Sequence, residues 1–324
     1  MAEDRTKSNP LAKKFEWKEK FIKRYEKLTD FETFKDFSTR YPRKSIRVNT
    51  IKADVEATKH SIEQKGFTLT PVPWCKEAFW IEGERRDYGN LLEHALGHIY
   101  IQDAASMIPP IVLNPQPHER VLDMCAAPGS KTTQIAAMMN NTGIVIANDS
   151  DSSRLAALGI NVQRSGLKNV MITNMKGHLF AKTNLLFDKI LLDAPCSGTG
   201  TIRKSLRTIQ SWNPGVVKKI CSIQKNLLVT AWNLLKPGGV LVYSTCTLEP
   251  EENEQVVDFA LKKFEDCSVI PFEINLKRSA PIMEFEGKTF HPDVQHTLRI
   301  WPQDNDTEGF YVAKLQKNVD RQHK

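Results

Sequence analysis

Two cysteines sit in polar motifs directly after apolar stretches that are typical of strands. Cys196 lies in the segment Asp193-Ala-Pro-Cys-Ser-Gly-Thr-Gly200, and Cys246 lies in Ser244-Thr-Cys-Thr. Most free cysteines are small buried hydrophobic residues. Two that end neighbouring strands of a parallel sheet, however, would meet at one edge beside Asp193. Because a thiolate is a strong nucleophile, this set of residues predicts a site of covalent chemistry.

Methylation of carbon 5 of a pyrimidine needs such a set of groups. Carbon 5 is a poor nucleophile, so a thiolate must first add at carbon 6. The adduct then needs an acid near ring nitrogen 3 and a group that helps to remove the carbon-5 proton. Cys246, Asp193 and Cys196 can meet these needs, and Lys131 is a candidate cation for lowering a thiol pKa. Enzymes that methylate an exocyclic amine directly use [ND]-P-P-[YF], whereas this chain has D-A-P-C without the aromatic residue.

A second motif is typical of a cofactor loop between a strand and a helix. It runs from Asp123 to Lys131 and contains a single glycine, Gly129. It is neither G-x-G-x-x-G nor a P-loop, which disfavours a dinucleotide or a triphosphate. Asp149 follows the next strand, where a carboxylate can accept hydrogen bonds from ribose hydroxyls. Helix capping by Asp149 or Asp151 is the alternative. A nucleoside cofactor without phosphates fits best, and S-adenosylmethionine is our prediction.

The surplus of positive charge lies at one end of the chain. The 324 residues contain 45 Lys+Arg and 38 Asp+Glu, and residues 1–52 alone contain 15 basic and 8 acidic residues. The remaining residues therefore balance. Clustered basic residues favour a polyanionic partner, although a solvated helix face is the alternative explanation. Together with the cysteine motifs, this asymmetry favours docking of a nucleic acid, and Lys13, Lys14, Lys18 and Lys20 are the candidate lysines.

Several classes of protein are disfavoured by composition. The sequence has no apolar run near the roughly 20 residues that a membrane span needs, and its N-terminus lacks the apolar stretch of a signal peptide. None of its six cysteines forms a C-x-x-C pair, so we expect free thiols and no metal. We therefore predict a cytoplasmic monomer that binds no membrane.

The elements that position these motifs alternate between strands and helices. Apolar stretches near residues 121–125, 144–147, 170–173, 189–193 and 240–244 predict strands, with helices between them, as in a doubly wound, mostly parallel α/β sheet. Before them, residues 45–105 predict a small βαβ-like module. The periodicity from Leu11 to Leu28 predicts one amphipathic helix with a basic outer face. The predicted domains are a basic helical segment at 1–44, the module at 45–105, a catalytic domain at 106–318 and a tail at 319–324.

Taken together, the motifs resemble the Sun-type family of RNA (cytosine-5)-methyltransferases over about residues 47–317. The matching stretches begin at Arg47, Gly97, Asp123, Asp193, Lys236 and Tyr243. The resemblance implies a Rossmann-like class I methyltransferase domain preceded by an α+β, RNA-recognition-like module. It also implies that Cys246 is the nucleophile and that Cys196 assists breakdown of the adduct. The cofactor site that it implies comprises Cys125, Ala126, Ala127, Pro128, Gly129, Ser130, Lys131, Asp149, Arg154 and Asp193.

One position departs from the family pattern. Lys176 occupies the slot that usually holds an aspartate contacting the adenine. Either another group contacts the adenine, or cofactor affinity is weakened, or the alignment slips by a residue or two. A turnover-deficient RNA-binding or assembly factor is therefore one alternative, and DNA methylation is disfavoured because the nucleophile would then be the cysteine of the P-C motif.

The sequence predicts the RNA substrate less specifically than it predicts the reaction. We expect tRNA, with ribosomal RNA as the alternative, since no additional RNA-binding domain is predicted. The predicted RNA contacts are Arg47, Asn49, Lys52, Arg203 and Lys204.

Overall fold

The computed structural model describes residues 9–85 and 87–319, so the predicted tail lies outside the described residues except for Val319. The chain begins with a 3₁₀ turn at Pro10–Lys14 and two short helices, α1 (Glu19–Tyr25) and α2 (Phe31–Thr39). The single helix predicted over residues 11–28 is therefore wrong. Lys18 is extended, and the chain turns there so that the Trp17 ring packs against the Phe21 and Phe31 rings, with centroids 5.2 and 5.6 Å away.

The apolar face of this N-terminal segment is buried against the catalytic domain. Phe21 and Tyr25 are fully buried, and their rings stack with centroids 3.9 Å apart. Phe21 also meets Trp212 edge-on at 5.1 Å, and Tyr25 meets Trp301 at 6.2 Å. The periodic hydrophobic residues therefore serve as a docking face, and tertiary packing rather than helix length stabilises the segment.

The next unit is an antiparallel sheet of four strands. Its elements are β1 (Ser45–Val48), α3 (Val55–Glu63), β2 (Thr68–Val72), β3 (Cys75–Glu82), α4 (Leu92–Ala95) and β4 (Ile99–Ile101). The strand order is β2-β3-β1-β4. Strands β1 and β2 are both antiparallel to β3 and so run parallel to each other. The predicted βαβ unit therefore exists in split form, with β3 inserted between its two strands. Asp54 caps α3, its side chain accepting a hydrogen bond from the Ala57 N–H.

The catalytic domain is a twisted sheet covered by helices. Its elements are α5 (Ile108–Leu113), β5 (Arg120–Asp123), α6 (Ser130–Met138), β6 (Ile144–Asn148), α7 (Ser152–Arg164), β7 (Val170–Thr173), β8 (Phe187–Asp193), α8 (Arg207–Ser211), α9 (Pro214–Leu234), β9 (Leu235–Thr245), α10 (Glu254–Lys263), β10 (Cys267–Val269), β11 (Glu284–Phe285), β12 (Lys288–Thr289), β13 (Leu298–Ile300), α11 (Pro302–Asn305) and β14 (Phe310–Lys317). Its main strand order is β10-β14-β9-β8-β5-β6-β7, and β13 pairs with β14.

The order of these strands determines where a ligand can bind. Strands β5 to β9 are mutually parallel, whereas β14 is antiparallel to β9. From β5 the chain proceeds outward to β6 and β7, and it then returns to place β8 on the other side of β5. The crevice beyond the carboxyl ends of β5 and β8 is therefore the topological switch point. Leu122, Ile190 and Leu241 on three adjacent strands are fully buried and form the core beneath that crevice.

Neither a membrane span nor a metal cluster occurs in the described part of the chain. Within residues 9–85 and 87–319, no helix is both long and apolar enough to cross a membrane. The same residues contain no group of three or more His, Cys, Asp or Glu side chains arranged to hold a metal ion.

Candidate active site

The two motif cysteines meet at the carboxyl ends of adjacent strands. Cys196 follows β8 and Cys246 follows β9, and their Sγ atoms are 3.3 Å apart. Both residues are half-buried. Contact with Cys246, together with burial, raises the pKa of the Cys196 thiol well above its ordinary value. Two thiols in contact at the edge of the switch-point crevice can act on the same bound molecule in succession.

The loops that carry the cysteines approach each other at a glycine. The Gly200 N–H donates to the Cys246 carbonyl at 3.0 Å. A Cβ at position 200 would lie 2.2 Å from the Gly309 carbonyl oxygen and 2.8 Å from that of Cys246. Only glycine therefore permits this approach of three backbone segments.

Asn253 braces the backbone on both sides of Cys246. Its Oδ1 accepts a hydrogen bond from the Thr245 hydroxyl at 2.6 Å, and its Nδ2 donates to the Thr247 carbonyl at 2.9 Å. Asn253 itself is fully buried. The side chain thus holds the residues that flank the thiol, a role that the motif match did not predict. The sequence signal that could have indicated this role is an asparagine a short distance after a motif cysteine.

A buried ion pair lies beside the thiols. Lys131, in the first turn of α6, donates from Nζ to Asp193 Oδ2 at 2.7 Å, and the Ser244 hydroxyl donates to Asp193 Oδ1 at 2.8 Å. Burial by itself would lower the pKa of Lys131, but the Asp193 carboxylate and the nearby Cys246 raise it on balance. Lys131 therefore stays charged, and it supplies a fixed positive charge where a thiolate and an anionic adduct would form.

The loop between β5 and α6 passes directly beneath Asp149. Asp149 Oδ2 accepts from the Ala127 N–H at 3.1 Å, and Oδ1 accepts from the Asp151 N–H at 2.9 Å. Gly129 has a φ of +104°, and a Cβ there would lie 2.8 Å from a Leu158 methyl group. The single glycine of the motif thus serves both the turn and its packing on α7.

Asp151, and not Asp149, is the residue that caps the helix after β6. Asp151 is the N-cap of α7 and accepts from the Ser153 N–H at 3.0 Å. Asp149 instead directly follows β6, with 5% of its side chain exposed. Capping is therefore done by Asp151, which leaves Asp149 for a ligand.

The residues at this loop fit S-adenosylmethionine. An ionised carboxylate offers about four acceptor positions, so the two backbone N–H groups leave Asp149 free to accept from ribose hydroxyls. Asp123 Oδ1 is buried and has no hydrogen-bond partner among the described residues, which leaves an acceptor for a cationic amino group. Burial raises the pKa of Asp123 to about 7, although the Thr132 hydroxyl that donates to it opposes this shift.

The remaining predicted cofactor residues surround this loop. Arg154 donates to the Ala127 carbonyl, and its Nη1 lies 3.5 Å from Asp149 Oδ2. Burial raises the pKa of the Cys125 thiol, and Cys125 packs against the buried core of the sheet.

Lys176, the position that departs from the family pattern, lies in the segment after β7. Lys176 is exposed, whereas Asn174 donates from Nδ2 to the Asp149 carbonyl at 2.7 Å. Asn148, fully buried at the end of β6, holds the next turn by donating to the carbonyls of Met124 and Met175. Asn148 and Asn174, which the motif match missed, are thus the polar side chains that the ends of β6 and β7 bring to this edge.

Three of the predicted RNA contacts are instead buried within the protein. Arg47 is 4% exposed, and its guanidinium donates to Gln102 Oε1 at 2.9 Å and to Thr133 Oγ1 at 3.0 Å. Asn49 is also buried, and its Nδ2 donates to carbonyls of the module and of the loop after α7. Arg203 is 5% exposed and donates to the carbonyls of Tyr41 and Thr307. These buried side chains donate to acceptors in other parts of the chain, so this structure does not present them to RNA.

The other two predicted RNA contacts differ from each other. Lys52 donates from Nζ to the carbonyls of Leu96 and Arg164, at 2.7 and 3.0 Å, and so ties the module to α7. Lys52 nevertheless remains exposed, so its contact with RNA stays a prediction. Lys204 has 66% of its side chain exposed, and its Nζ lies 3.7 Å from Glu308. Lys52 and Lys204 are therefore the two of the five whose side chains are exposed.

The fold and the paired-cysteine site define a class I methyltransferase that uses S-adenosylmethionine. A model described as 16S rRNA methyltransferase RsmB/F matches residues 110–316, and one described as the N-terminal domain of 16S rRNA methyltransferase RsmF matches residues 18–104. The chain belongs to the RsmB/F family. The predicted family, cofactor and enzyme class, an RNA (cytosine-5)-methyltransferase, are thereby confirmed.

Curated relatives and solved structures are similar over most of the chain. The tRNA (cytosine(49)-C(5))-methyltransferase of Pyrococcus abyssi is 48% identical over 299 residues, covering 92% of this chain and 96% of the relative. The ribosomal RNA small subunit methyltransferase F of Vibrio campbellii is 45% identical over 280 residues, and the match spans 57% of that relative's length. A methyltransferase homolog protein from Pyrococcus horikoshii superposes with a TM-score of 0.80 at 37% identity, covering 88% of this chain and 90% of that one.

Proposed function

We propose that this chain methylates carbon 5 of a cytidine in tRNA through a covalent adduct with Cys246. The observation that supports the chemistry is the contact between Cys196 and Cys246, with Sγ atoms 3.3 Å apart, beside the Lys131–Asp193 pair. A single thiol would suffice for addition to the ring. The second thiol in contact with it supports a role in resolving the adduct.

The proposed reaction assigns one step to each group. The target cytidine is flipped out of its stack so that Cys246 can add to carbon 6. As Cys246 adds, its thiol proton passes to ring nitrogen 3, and the Asp193 carboxylate accepts a hydrogen bond from the resulting N–H. Lys131 balances the charge that develops during this step. S-adenosylmethionine supplies an electrophilic methyl group for the carbon 5 that this addition activates. Cys196 then assists removal of the carbon-5 proton, after which the bond between Cys246 and carbon 6 breaks and the product leaves.

The preference for tRNA has support from relative length. The Pyrococcus abyssi tRNA enzyme is covered over 96% of its length, whereas the Vibrio campbellii ribosomal RNA enzyme is covered over 57%. Ribosomal RNA is the second candidate substrate, because the family descriptions name 16S rRNA. We further propose a monomer acting in the cytoplasm, and light scattering after size exclusion tests the monomer.

Substitution of each cysteine tests the chemistry. We expect Cys246→Ala to abolish methyl transfer to tRNA, because no nucleophile remains. Cys196→Ala should accumulate a protein–RNA adduct that survives denaturant, since addition proceeds and release fails. Both are measured with transcribed tRNA and radiolabelled S-adenosylmethionine, followed by denaturing gels. Retained activity in Cys246→Ala together with no adduct in Cys196→Ala would show that the roles are wrongly assigned.

Bisulfite sequencing of total RNA tests the substrate. Cells with and without the gene are compared, and one tRNA cytidine should lose its methyl group on deletion. Loss of a ribosomal RNA position instead would favour the second candidate. An unchanged pattern would favour an RNA-binding or assembly factor without turnover.

A further inference from the structure

Glu252 is a fully buried carboxylate that touches both loops of the active site. Its Oε2 accepts from the Ser197 N–H at 3.0 Å, and Ser197 directly follows Cys196. Its Oε1 accepts from the Thr247 hydroxyl at 3.4 Å, and Thr247 directly follows Cys246. One side chain thus bonds to the residue after each thiol.

Hydroxyl groups reinforce this connection. The Ser197 and Thr247 hydroxyls lie 2.8 Å apart, and the Thr199 hydroxyl lies 2.9 Å from that of Thr247. Thr199 Oγ1 also accepts from the Leu248 N–H at 2.9 Å. These bonds all run between the loop after β8 and the loop after β9, so they hold the separation of the two loops.

A glutamine on α9 supports the carboxylate from behind. Gln224 is fully buried, and its Nε2 donates to Glu252 Oε2 at 2.9 Å and to the Pro195 carbonyl at 3.0 Å. Pro195 precedes Cys196, so the backbone on both sides of that cysteine is tied to the pair Gln224–Glu252. A buried carboxylate with several donors has one preferred position, because any shift leaves a buried donor unsatisfied.

We propose that Glu252 is a positioning residue that clamps the two cysteine loops together and so keeps the Cys196 and Cys246 thiols in contact. The clamp acts on both thiols through the loops that carry them, and Glu252 itself is fully buried. The proposal rests on the proposed function only for its effect on turnover. The effect of the clamp on the distance between the thiols does not depend on the proposed function.

Three variants separate the contacts from the charge. Glu252→Ala removes every bond of the clamp. Glu252→Asp keeps the carboxylate but is one methylene shorter, so it cannot span Ser197 and Thr247 together. Glu252→Gln retains an oxygen for the Ser197 and Gln224 donors and gains an amide that can donate to Thr247, so it should preserve the clamp. Glu265→Ala, an exposed glutamate beyond α10, is the control.

Oxidative capture measures the distance between the thiols without RNA or cofactor. Diamide takes two electrons and two protons from the thiols, which form a disulfide of about 2.05 Å, and diamide is reduced to its hydrazine. Peptide mapping by mass spectrometry follows the Cys196–Cys246 pair among the other free cysteines. We expect rapid capture in the native chain, in Glu252→Gln and in Glu265→Ala. Capture should be about 100-fold slower in Glu252→Ala and intermediate in Glu252→Asp, because a displacement near 1 Å has effects of that size.

Turnover gives the second measurement. Glu252→Ala should lower kcat about 100-fold, with little change in KM for S-adenosylmethionine, and Glu252→Gln should restore kcat to near the native value. Circular dichroism and melting curves confirm that each variant is folded, and Glu252→Asp provides the test if Glu252→Ala does not fold.

Failure of the clamp is distinguishable from failure of the proposed function. Native rates of disulfide capture in folded Glu252→Ala and Glu252→Asp would overturn the clamp, whatever the enzyme methylates. Slow capture in these variants, with native turnover that does not depend on Cys246, would leave the clamp in place and overturn the proposed covalent mechanism.

Discussion

The Lys131 ammonium lies 2.7 Å from the Asp193 carboxylate, across the gap between α6 and the end of β8. The two partners are 62 residues apart along the chain. Each group is shielded from solvent, since the side chains are 11% and 26% exposed. The pair therefore places one positive and one negative group in the crevice where the two thiols meet.

Loss of the Lys131 charge should impair catalysis more than folding. We expect Lys131→Met to lower kcat for RNA methylation by about 100-fold, because a preorganised cation at the developing charge has an effect of this order. Initial rates with radiolabelled S-adenosylmethionine measure the change. Lys168→Met, which removes a charge from an exposed site, is the control and should retain native rates. Equal rates in both variants would contradict an electrostatic role for Lys131.

The two neighbouring aspartates after β6 should respond differently. Asp149→Ala should weaken binding of S-adenosylmethionine by about 1.5–3 kcal/mol, the range for hydrogen bonds to a charged group. Asp151→Ala removes the cap of α7 and should cost about 1 kcal/mol of unfolding free energy without changing cofactor affinity. Calorimetry and urea unfolding of both variants give these values. Weaker cofactor binding in Asp151→Ala alone would reverse the assignment.

The buried Asp123 should make stability depend on pH. Burial raises the pKa of Asp123 to about 7, from an ordinary value of 3.8. Between about pH 4 and pH 7 the folded chain therefore holds a proton that the unfolded chain releases, and the contribution of Asp123 to the unfolding free energy falls as the pH rises. We expect the stability of the native chain relative to Asp123→Asn to decrease over this range in urea unfolding. Parallel curves for the two proteins would contradict the raised pKa.

The exposed N-terminal lysines should contribute to RNA affinity. Lys18 is set apart from the predicted set because its Nζ donates to the Trp212 carbonyl at 2.7 Å, whereas Lys13, Lys14 and Lys20 are exposed. Replacing these three by Gln should weaken tRNA binding. The slope of log K against log salt concentration should become shallower by about 0.7–0.9 for each phosphate that the variant no longer neutralises. Cofactor affinity should not change.

A triple variant of equal charge serves as the control for that experiment. Lys168, Lys182 and Lys288 are exposed on the catalytic domain, and their replacement by Gln removes the same number of charges. An identical loss of salt dependence in both variants would show that net charge, and not the N-terminal segment, determines RNA binding.

Net charge by itself does not show which basic residues of the N-terminal segment have partners inside the protein. Arg24 belongs to the basic cluster, yet its guanidinium lies 2.9 Å from the buried Glu249 and also pairs with Glu251. Tyr25 donates to Glu249 as well, at 2.7 Å. Part of the positive surplus is therefore used to hold the segment on the loop after Cys246. Charge counting cannot separate these internal partners from a phosphate, because both use the same side chains.

The sequence by itself determined the alternation of strands and helices, the cofactor loop and the cysteine motifs. These are local features, since hydrophobic periodicity and the residues of a turn depend on near neighbours along the chain. The same reasoning placed Cys196, Cys246 and Asp193 at one sheet edge, because parallel strands end together.

The tertiary structure alone decided which polar residues face inward. Arg47, Asn49 and Arg203 have the types expected at an RNA surface, but their donors meet carbonyl and side-chain acceptors of distant segments. The roles of Asn253 and Glu252 likewise depend on loops that meet only in the folded chain. The physical reason is that a buried polar group must find its partner in space, and that partner lies at no fixed separation along the sequence.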